Sequence, residues 1–131
     1  MAGAMPPRFL PLATLHDLDD ALAASMAGPV LLFKHSPTCG TSAMANEELT
    51  ALVEGSGDPA VPVYRLDVWT ARPVSNAIAE RFRIRHASPQ VLLVDHGDVV
   101  WHATHYRITA REVRARFDEA MSRSTAVSSP A

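Results

Sequence analysis

Apolar residues spaced three and four apart predict a helix near the start of the chain. They are Leu15, Leu18, Leu22 and Met26. Thr14 is suited to cap this helix, and Gly28-Pro29 is suited to end it. The continuous apolar run from Val30 to Phe33 follows, and such a run between turn signals is typical of a buried strand in a parallel sheet. The chain therefore opens with a helix and a strand.

The middle of the chain continues this alternation. A second helix is predicted from about Cys39 to Val53, and a second strand from Val61 to Val68. The Gly- and Pro-rich residues 55–59 connect them. A third helix is predicted to start near Pro73, because proline suits the first turn of a helix. Alternating helices and strands indicate parallel strand pairs joined by right-handed crossovers.

The last third of the chain predicts a hairpin followed by a helix. The run from Gln90 to Val94 and the run that starts at Val99 flank the turn residues His96-Gly97-Asp98. Thr109 and Glu112 have the spacing of a capping box, which predicts a final helix that ends near residue 121. The whole order predicts an α/β fold, with a mixed sheet of about four strands flanked by helices.

Length and composition place these elements in one domain. The chain has 131 residues, of which 47% are hydrophobic and 20% charged, a balance typical of a globular protein with one core. We expect residues 12–121 to form this domain. Small residues and prolines dominate the two ends, so we expect flexible segments at 1–11 and 122–131.

Charge and hydropathy argue against several classes of partner. The net charge of −2 gives no indication of nucleic-acid binding. No apolar run approaches the ~20 residues needed to cross a bilayer, and prolines interrupt the N-terminal stretch, so we expect neither a membrane partner nor a signal peptide. A single cysteine cannot form an intramolecular disulfide. We therefore expect a cytoplasmic protein, and a monomer.

The single cysteine, Cys39, stands where a predicted strand and loop lead into a predicted helix. Free N–H groups and the helix dipole favour negative charge there, and such sites lower a thiol pKa from about 8.5 to about 3.5–7.5. A thiol of low pKa is also a better leaving group in disulfide exchange. The setting predicts a reactive thiol, and the alternative is a small buried hydrophobic residue.

Ser42 occupies the position where a dithiol oxidoreductase has its second cysteine. Serine can donate a hydrogen bond to a thiolate one turn away, but it cannot form a disulfide. The alternative is that Ser42 is only a residue of the first helical turn. In either case the partner thiol of Cys39 must come from another molecule.

Three stretches and one motif carry a family resemblance. They are FKHSPTC (33–39), RPVSNAIAERFRIRHASPQ (72–90), GDVVWHATHYRIT (97–109) and the C-x-x-S motif from Cys39 to Ser42. Together they resemble the single-cysteine bacilliredoxins of the bacillithiol system, over roughly residues 12–117. The resemblance implies a thioredoxin-like fold, with Cys39 as the catalytic thiol, Ser42 beside it and Pro89 as a cis-proline facing it. Gly40-Thr41 departs from the proline and isoleucine of the family, and glycine there is expected to loosen the helix start.

The resemblance also implies an activity. It is that of a monothiol thiol–disulfide oxidoreductase, which removes bacillithiol or a similar low-molecular-weight thiol from protein mixed disulfides. The small thiol would be a co-substrate, S-thiolated proteins the clients, and a disulfide reductase a further partner. No tightly bound cofactor is implied. The chain has no second cysteine and no HExxH, so we predict no metal site.

Residues close to the motif are candidates for substrate contacts. They are Lys34, His35, Thr38, Gly40, Thr41 and Ser88. Three further basic residues are candidates to meet the malate carboxylates of bacillithiol, namely Arg72, Arg85 and His86. The alternative for Lys34 and His35 is a solvated strand end, and the alternative for the other three is ordinary surface charge.

Two other functions fit part of the pattern. Cys39-Gly40-Thr41-Ser42 differs by one residue from the CGFS of single-cysteine glutaredoxins, which carry iron–sulfur clusters with glutathione. Those proteins have a glycine pair after the hairpin, where this chain has residues Trp101 to Thr104. A non-catalytic thioredoxin-like binding module would leave Cys39 unreactive. An absorption spectrum tests the first alternative, and thiol labelling tests the second.

Overall fold

In the computed structural model, which describes residues 9–55, 57 and 59–128, the chain forms five strands and four helices. The strands are β1 (Leu10–Pro11), β2 (Val30–His35), β3 (Val63–Asp67), β4 (Gln90–Asp95) and β5 (Asp98–Thr104). The helices are α1 (Leu15–Ala24), α2 (Gly40–Glu54), α3 (Arg72–Phe82) and α4 (Ala110–Ser128), with a 3-10 turn at His105–Arg107. The predicted alternation of helices and strands is confirmed.

The strands form one mixed sheet in the order β1-β3-β2-β4-β5. β2 and β1 are parallel to β3, whereas β4 is antiparallel to both β2 and β5. The predicted mixed sheet is therefore correct, and the structure adds one strand to the expected four. That strand, β1, is two residues long and pairs with β3 through Leu10 and Tyr64.

Regular secondary structure occurs on both sides of residues 12–121. β1 lies inside the segment 1–11 that we expected to be flexible, and α4 continues to Ser128, beyond the helix end predicted near residue 121. Apolar periodicity stops before that point, so the sequence pattern gave no reason to extend the helix. The remaining residues of the two predicted flexible segments, 1–8 and 129–131, lie outside the described part of the chain.

The sheet separates two apolar layers. On one face, Leu31 and Phe33 of β2 pack with α2 and α4, where Phe117 is buried. On the other face, Leu32 packs with α1 and α3, where Ile78 is fully buried. The alternation of side chains along β2 sends neighbouring residues into different layers. No helix in the described residues has the length and apolar character needed to cross a bilayer.

The predicted apolar face of α1 is only partly correct. Leu18 is buried, but Leu15 and Met26 are 54% and 57% exposed. The helix ends at Ala24, so Met26 lies beyond it, and the small residue Ala21 occupies the buried face instead. Thr14 caps the helix as predicted, because its hydroxyl accepts the N–H of Asp17 at 3.0 Å.

The ends of four strands meet at one edge of the sheet. β2 and β3 end there, and the Val68 N–H beyond β3 donates to the His35 carbonyl at 2.9 Å. β4 begins at the same edge and β5 ends there, because the two strands are antiparallel and Gln90 pairs with Thr104. The loops that follow or precede these strand ends therefore surround the start of α2.

Candidate active site

Cys39 is the N-cap residue of α2. Its backbone is extended (φ −102°, ψ 125°), and its carbonyl accepts the N–H of Ala43 at 3.0 Å. Its own N–H donates to the Ser36 carbonyl at 3.3 Å, which fixes the loop in front of the helix. The thiol is free and partly exposed. The predicted position of this cysteine at a helix start is confirmed.

Donors in the first turn of α2 lower the pKa of the Cys39 thiol. The largest effect is that of the Ser42 N–H, and the N–H and hydroxyl of Thr41 add to it, whereas desolvation opposes them. Within the described residues the side chain makes no capping hydrogen bond of its own. The donors therefore favour the thiolate over the neutral thiol, as expected where helix N–H groups have no intrahelical partner.

The Ser42 hydroxyl forms its hydrogen bonds with residues other than Cys39. Its hydroxyl is fully buried, accepts the Ser36 N–H at 2.9 Å and pairs with His35 Nδ1 at 2.8 Å. Burial, together with the positive charge of Arg65, lowers the pKa of His35. Ser42 thus ties the start of α2 to the end of β2. Its backbone N–H acts on Cys39, rather than the hydroxyl that the sequence suggested.

Lys34 is fully buried, on the α1 and α3 side of the sheet. Its ammonium donates to the Ser75 carbonyl at 3.1 Å and to His86 Nδ1 at 3.2 Å. Desolvation lowers its pKa from 10.5 to about 8. The expected contact between Lys34 and a substrate at the surface does not fit this position. Lys34 instead joins α3 to the loop that precedes Pro89.

His86 is held neutral at this junction. An ammonium only donates, so Nδ1 must carry no proton where it faces Lys34, and the Ser75 hydroxyl lies 3.1 Å from the same nitrogen. Burial and the positive charges of Lys34 and Arg72 lower the pKa of His86 accordingly. Only Nε2 of the imidazole remains for another molecule.

The loop before β4 carries the predicted proline. The Ser88–Pro89 bond is cis, as the resemblance implies. The Pro89 carbonyl accepts the His105 N–H at 3.2 Å, which joins this loop to the 3-10 turn after β5. Gln90 lies opposite Lys34 in the sheet, and its amide donates to the Arg85 carbonyl at 3.0 Å. Among the described residues, Ser88 Oγ and Gln90 Oε1 are buried without a hydrogen-bond partner.

The other predicted residues lie at the start of α2 and at the start of α3. Thr38 and Gly40 are exposed next to Cys39, and Thr41 is partly exposed. Arg72 is exposed at the start of α3, and its effect on the pKa of His86 places the two side chains in one electrostatic environment. Basic groups therefore lie on the α3 side.

Two positioning residues were missed by the sequence reasoning. Ser75 lies between Val74 and Ile78 on the buried face of α3, and Gln90 begins a buried strand. Helical spacing would have placed Ser75 in the core, where a polar group needs a partner. In the described residues, no three His, Cys, Asp or Glu side chains are grouped so that they could hold a metal ion.

Comparisons with solved structures show the fold. A protein with a thioredoxin fold superposes with a TM-score of 0.72 at 24% identity, over 81% of this chain and 90% of that one. A thioredoxin from Fasciola hepatica superposes with a TM-score of 0.69 at 16% identity, over 86% of this chain and 99% of that one. A mutant thioredoxin from Halobacterium salinarum superposes with a TM-score of 0.65 at 19% identity, over 90% of this chain and 96% of that one.

The family follows from a match that spans most of the domain. The family model described as monothiol bacilliredoxin BrxC matches residues 10–113, which include Cys39, the loop before Pro89 and the start of α4. The match agrees with a thioredoxin-like fold that has a single free thiol at the start of α2. This chain belongs to the monothiol bacilliredoxin family, and its role is that of a thiol oxidoreductase.

Proposed function

We propose that this protein removes bacillithiol from mixed disulfides of client proteins. The observation that carries the proposal is the Cys39 thiol, which is free, partly exposed and shifted toward its anion by the first turn of α2. The sequence has no second cysteine, so no internal thiol can displace a bound partner from Cys39. This suits a thiol that accepts a small thiol and passes it on.

The reaction consists of two exchanges. The Cys39 thiolate attacks the bacillithiol sulfur of the mixed disulfide, a new disulfide joins Cys39 to bacillithiol, and the client thiolate leaves and takes a proton from water. A second bacillithiol thiolate then attacks the bacillithiol sulfur on Cys39. It forms bacillithiol disulfide and releases Cys39 as a thiolate. Each step exchanges one disulfide for another, so no external oxidant is needed.

The basic side of the site supports an anionic small thiol. Arg72 is exposed at the start of α3, and His86 keeps Nε2 for another molecule while Nδ1 faces Lys34. Arg85 is exposed in the same loop. Guanidinium groups bind carboxylates through paired hydrogen bonds, and bacillithiol carries two carboxylates on its malate group. We assign Arg72, Arg85 and His86 to this contact.

The proposal also covers the location of the protein, its oligomeric state and its partners. We propose a cytoplasmic monomer whose bacillithiol disulfide product is reduced by a separate disulfide reductase. Thiolated proteins are the clients, and no tightly bound cofactor takes part. Thr38, Gly40, Thr41 and the backbone of Ser88 are proposed to line the path of the substrate past Cys39.

The direct test is an assay on one test protein that carries either bacillithiol or glutathione on a single cysteine. We expect Cys39→Ser to abolish removal of both groups, and the wild type to remove bacillithiol faster. Arg72→Gln should reduce this preference, whereas the matched change Arg111→Gln on α4 should not. Equal rates for the two groups would contradict bacillithiol specificity, and activity in Cys39→Ser would contradict the mechanism. An iron–sulfur absorption band in freshly purified protein would favour the cluster carrier instead.

A further inference from the structure

A groove lies beside the thiol, between α2 and the 3-10 turn that follows β5. Its volume is about 140 Å³, and the residues that matter here are Thr41, Met44, Glu47, Glu48, His105 and Tyr106. Thr41 lines the groove and also acts on Cys39, since its N–H and hydroxyl lower the pKa of the thiol. The groove therefore begins two residues along the chain from Cys39.

The walls of the groove expose apolar surface. Met44 is 55% exposed and Tyr106 is 75% exposed, although both are large side chains. Met44 does not lie on the buried face of α2, which Ala45 and Leu49 form. Exposed methionine and tyrosine side chains are common at surfaces that bind other proteins, because methionine adapts its shape to a partner and tyrosine gives contact area at low entropic cost.

The rim of the groove is acidic. Glu48 has a structural role, since its carboxylate accepts the N–H of Ala110 at 2.9 Å at the start of α4. Glu47 is exposed, and it takes part in none of the ion pairs found among the described residues. Its charge therefore faces solvent, further along α2 than Thr41. The charge of Glu47 is opposite in sign to that of Arg72, which is exposed at the start of α3.

We propose that this groove binds the segment of the client protein next to its modified cysteine, and that it favours segments with a lysine or arginine beside an apolar residue. The inference rests on the proposed function. The client sulfur must come close to Cys39, so its flanking residues must cross the surface next to Thr41. The small anionic thiol suits the basic side, and a basic client segment suits the acidic one.

The test uses peptides with one bacillithiolated cysteine, flanked by lysine and leucine, by glutamate and leucine, or by serine alone. Glu47→Gln should lower kcat/KM for the lysine peptide about two- to fivefold, the range expected for one exposed charge pair. The matched change Glu54→Gln, at the far end of the same helix, should leave it unchanged. Tyr106→Ala should slow reaction with both leucine peptides and leave the serine peptide unchanged. Salt should reduce the preference for lysine, since it screens exposed charges.

The outcomes separate this inference from the proposed function. Reaction of all three peptides at equal rates, with no effect of Glu47→Gln, would overturn the groove as a client site and leave the chemistry at Cys39 standing. Absence of reaction with every peptide, in a protein whose Cys39 is still labelled by alkylating reagents, would overturn the proposed function and the groove with it. Alkylation of Cys39 should be equal in the wild type and in Glu47→Gln, which excludes an effect on the thiol itself.

Discussion

Lys34 provides a prediction that can be worked out in detail. It is the only lysine in the sequence, and its ammonium is fully buried against the Ser75 carbonyl and His86. A fall in its pKa from 10.5 to about 8 corresponds to a cost of about 3 kcal/mol for holding the charged form in the folded protein.

The sign of the pH dependence follows from the lowered pKa. Below about pH 8 the lysine is protonated in both the folded and the unfolded chain, so the full cost is present. Between about 8 and 10.5 the unfolded chain binds more protons, so the stability contributed by this residue rises with pH. Compared with Lys34→Met, the wild type should gain about 2 kcal/mol of unfolding free energy between pH 7 and pH 9.5.

Two measurements check this value. Urea denaturation of the wild type and of Lys34→Met at both pH values gives the difference, in which the titrating groups that do not contact Lys34 cancel. NMR of protein labelled with carbon-13 at lysine Cε gives a single signal, because there is a single lysine. A midpoint near 8 is expected. A midpoint near 10.5, with a stability difference that does not vary with pH, would refute the buried position of this ammonium.

Three further predictions concern the first turn of α2. Ser42→Ala should lower the unfolding free energy by about 1–3 kcal/mol, because the buried Ser36 N–H loses its acceptor, and denaturation with urea measures this loss. Thr41→Val should raise the pKa of Cys39 yet leave it below its ordinary value, since the backbone donors remain. Alkylation rates measured against pH give this pKa, and an unchanged pKa in Thr41→Val would contradict a role for the hydroxyl. Gly40→Ala should stabilise the protein by about 0.5–1 kcal/mol, because an added Cβ meets no atom within 4 Å, and a lower melting temperature would contradict this.

Local sequence signals predicted most of the sheet and the position of the thiol. The apolar run of β2, the turn at His96 and the helix start at Cys39 depend on neighbouring residues, so they can be read from the chain. β1 could not be predicted, because two residues carry no period and the strand depends on pairing with β3. The direction of the Ser42 hydroxyl depends on His35, which becomes a neighbour only after folding.

Side-chain alternation along β2 could have predicted the side of the sheet on which Lys34 lies. Val30, Leu32 and Lys34 share one side of β2, so the period of two places the lysine with core residues. We expected a charged side chain at a strand end to reach solvent or substrate. The acceptors that keep it inside come from α3 and from the loop at His86, distant in sequence, and no local pattern indicates them.

The most direct test of Cys39 as the acceptor of bacillithiol is a single-turnover reaction followed by intact-protein mass spectrometry. Excess protein is mixed with a bacillithiolated client, and the reaction is quenched with acid. The masses of both proteins are then measured. We expect this chain to gain the mass of one bacillithiol on Cys39 while the client becomes fully reduced. A disulfide between Cys39 and the client, or a client that keeps its bacillithiol while this chain stays unmodified, would contradict it.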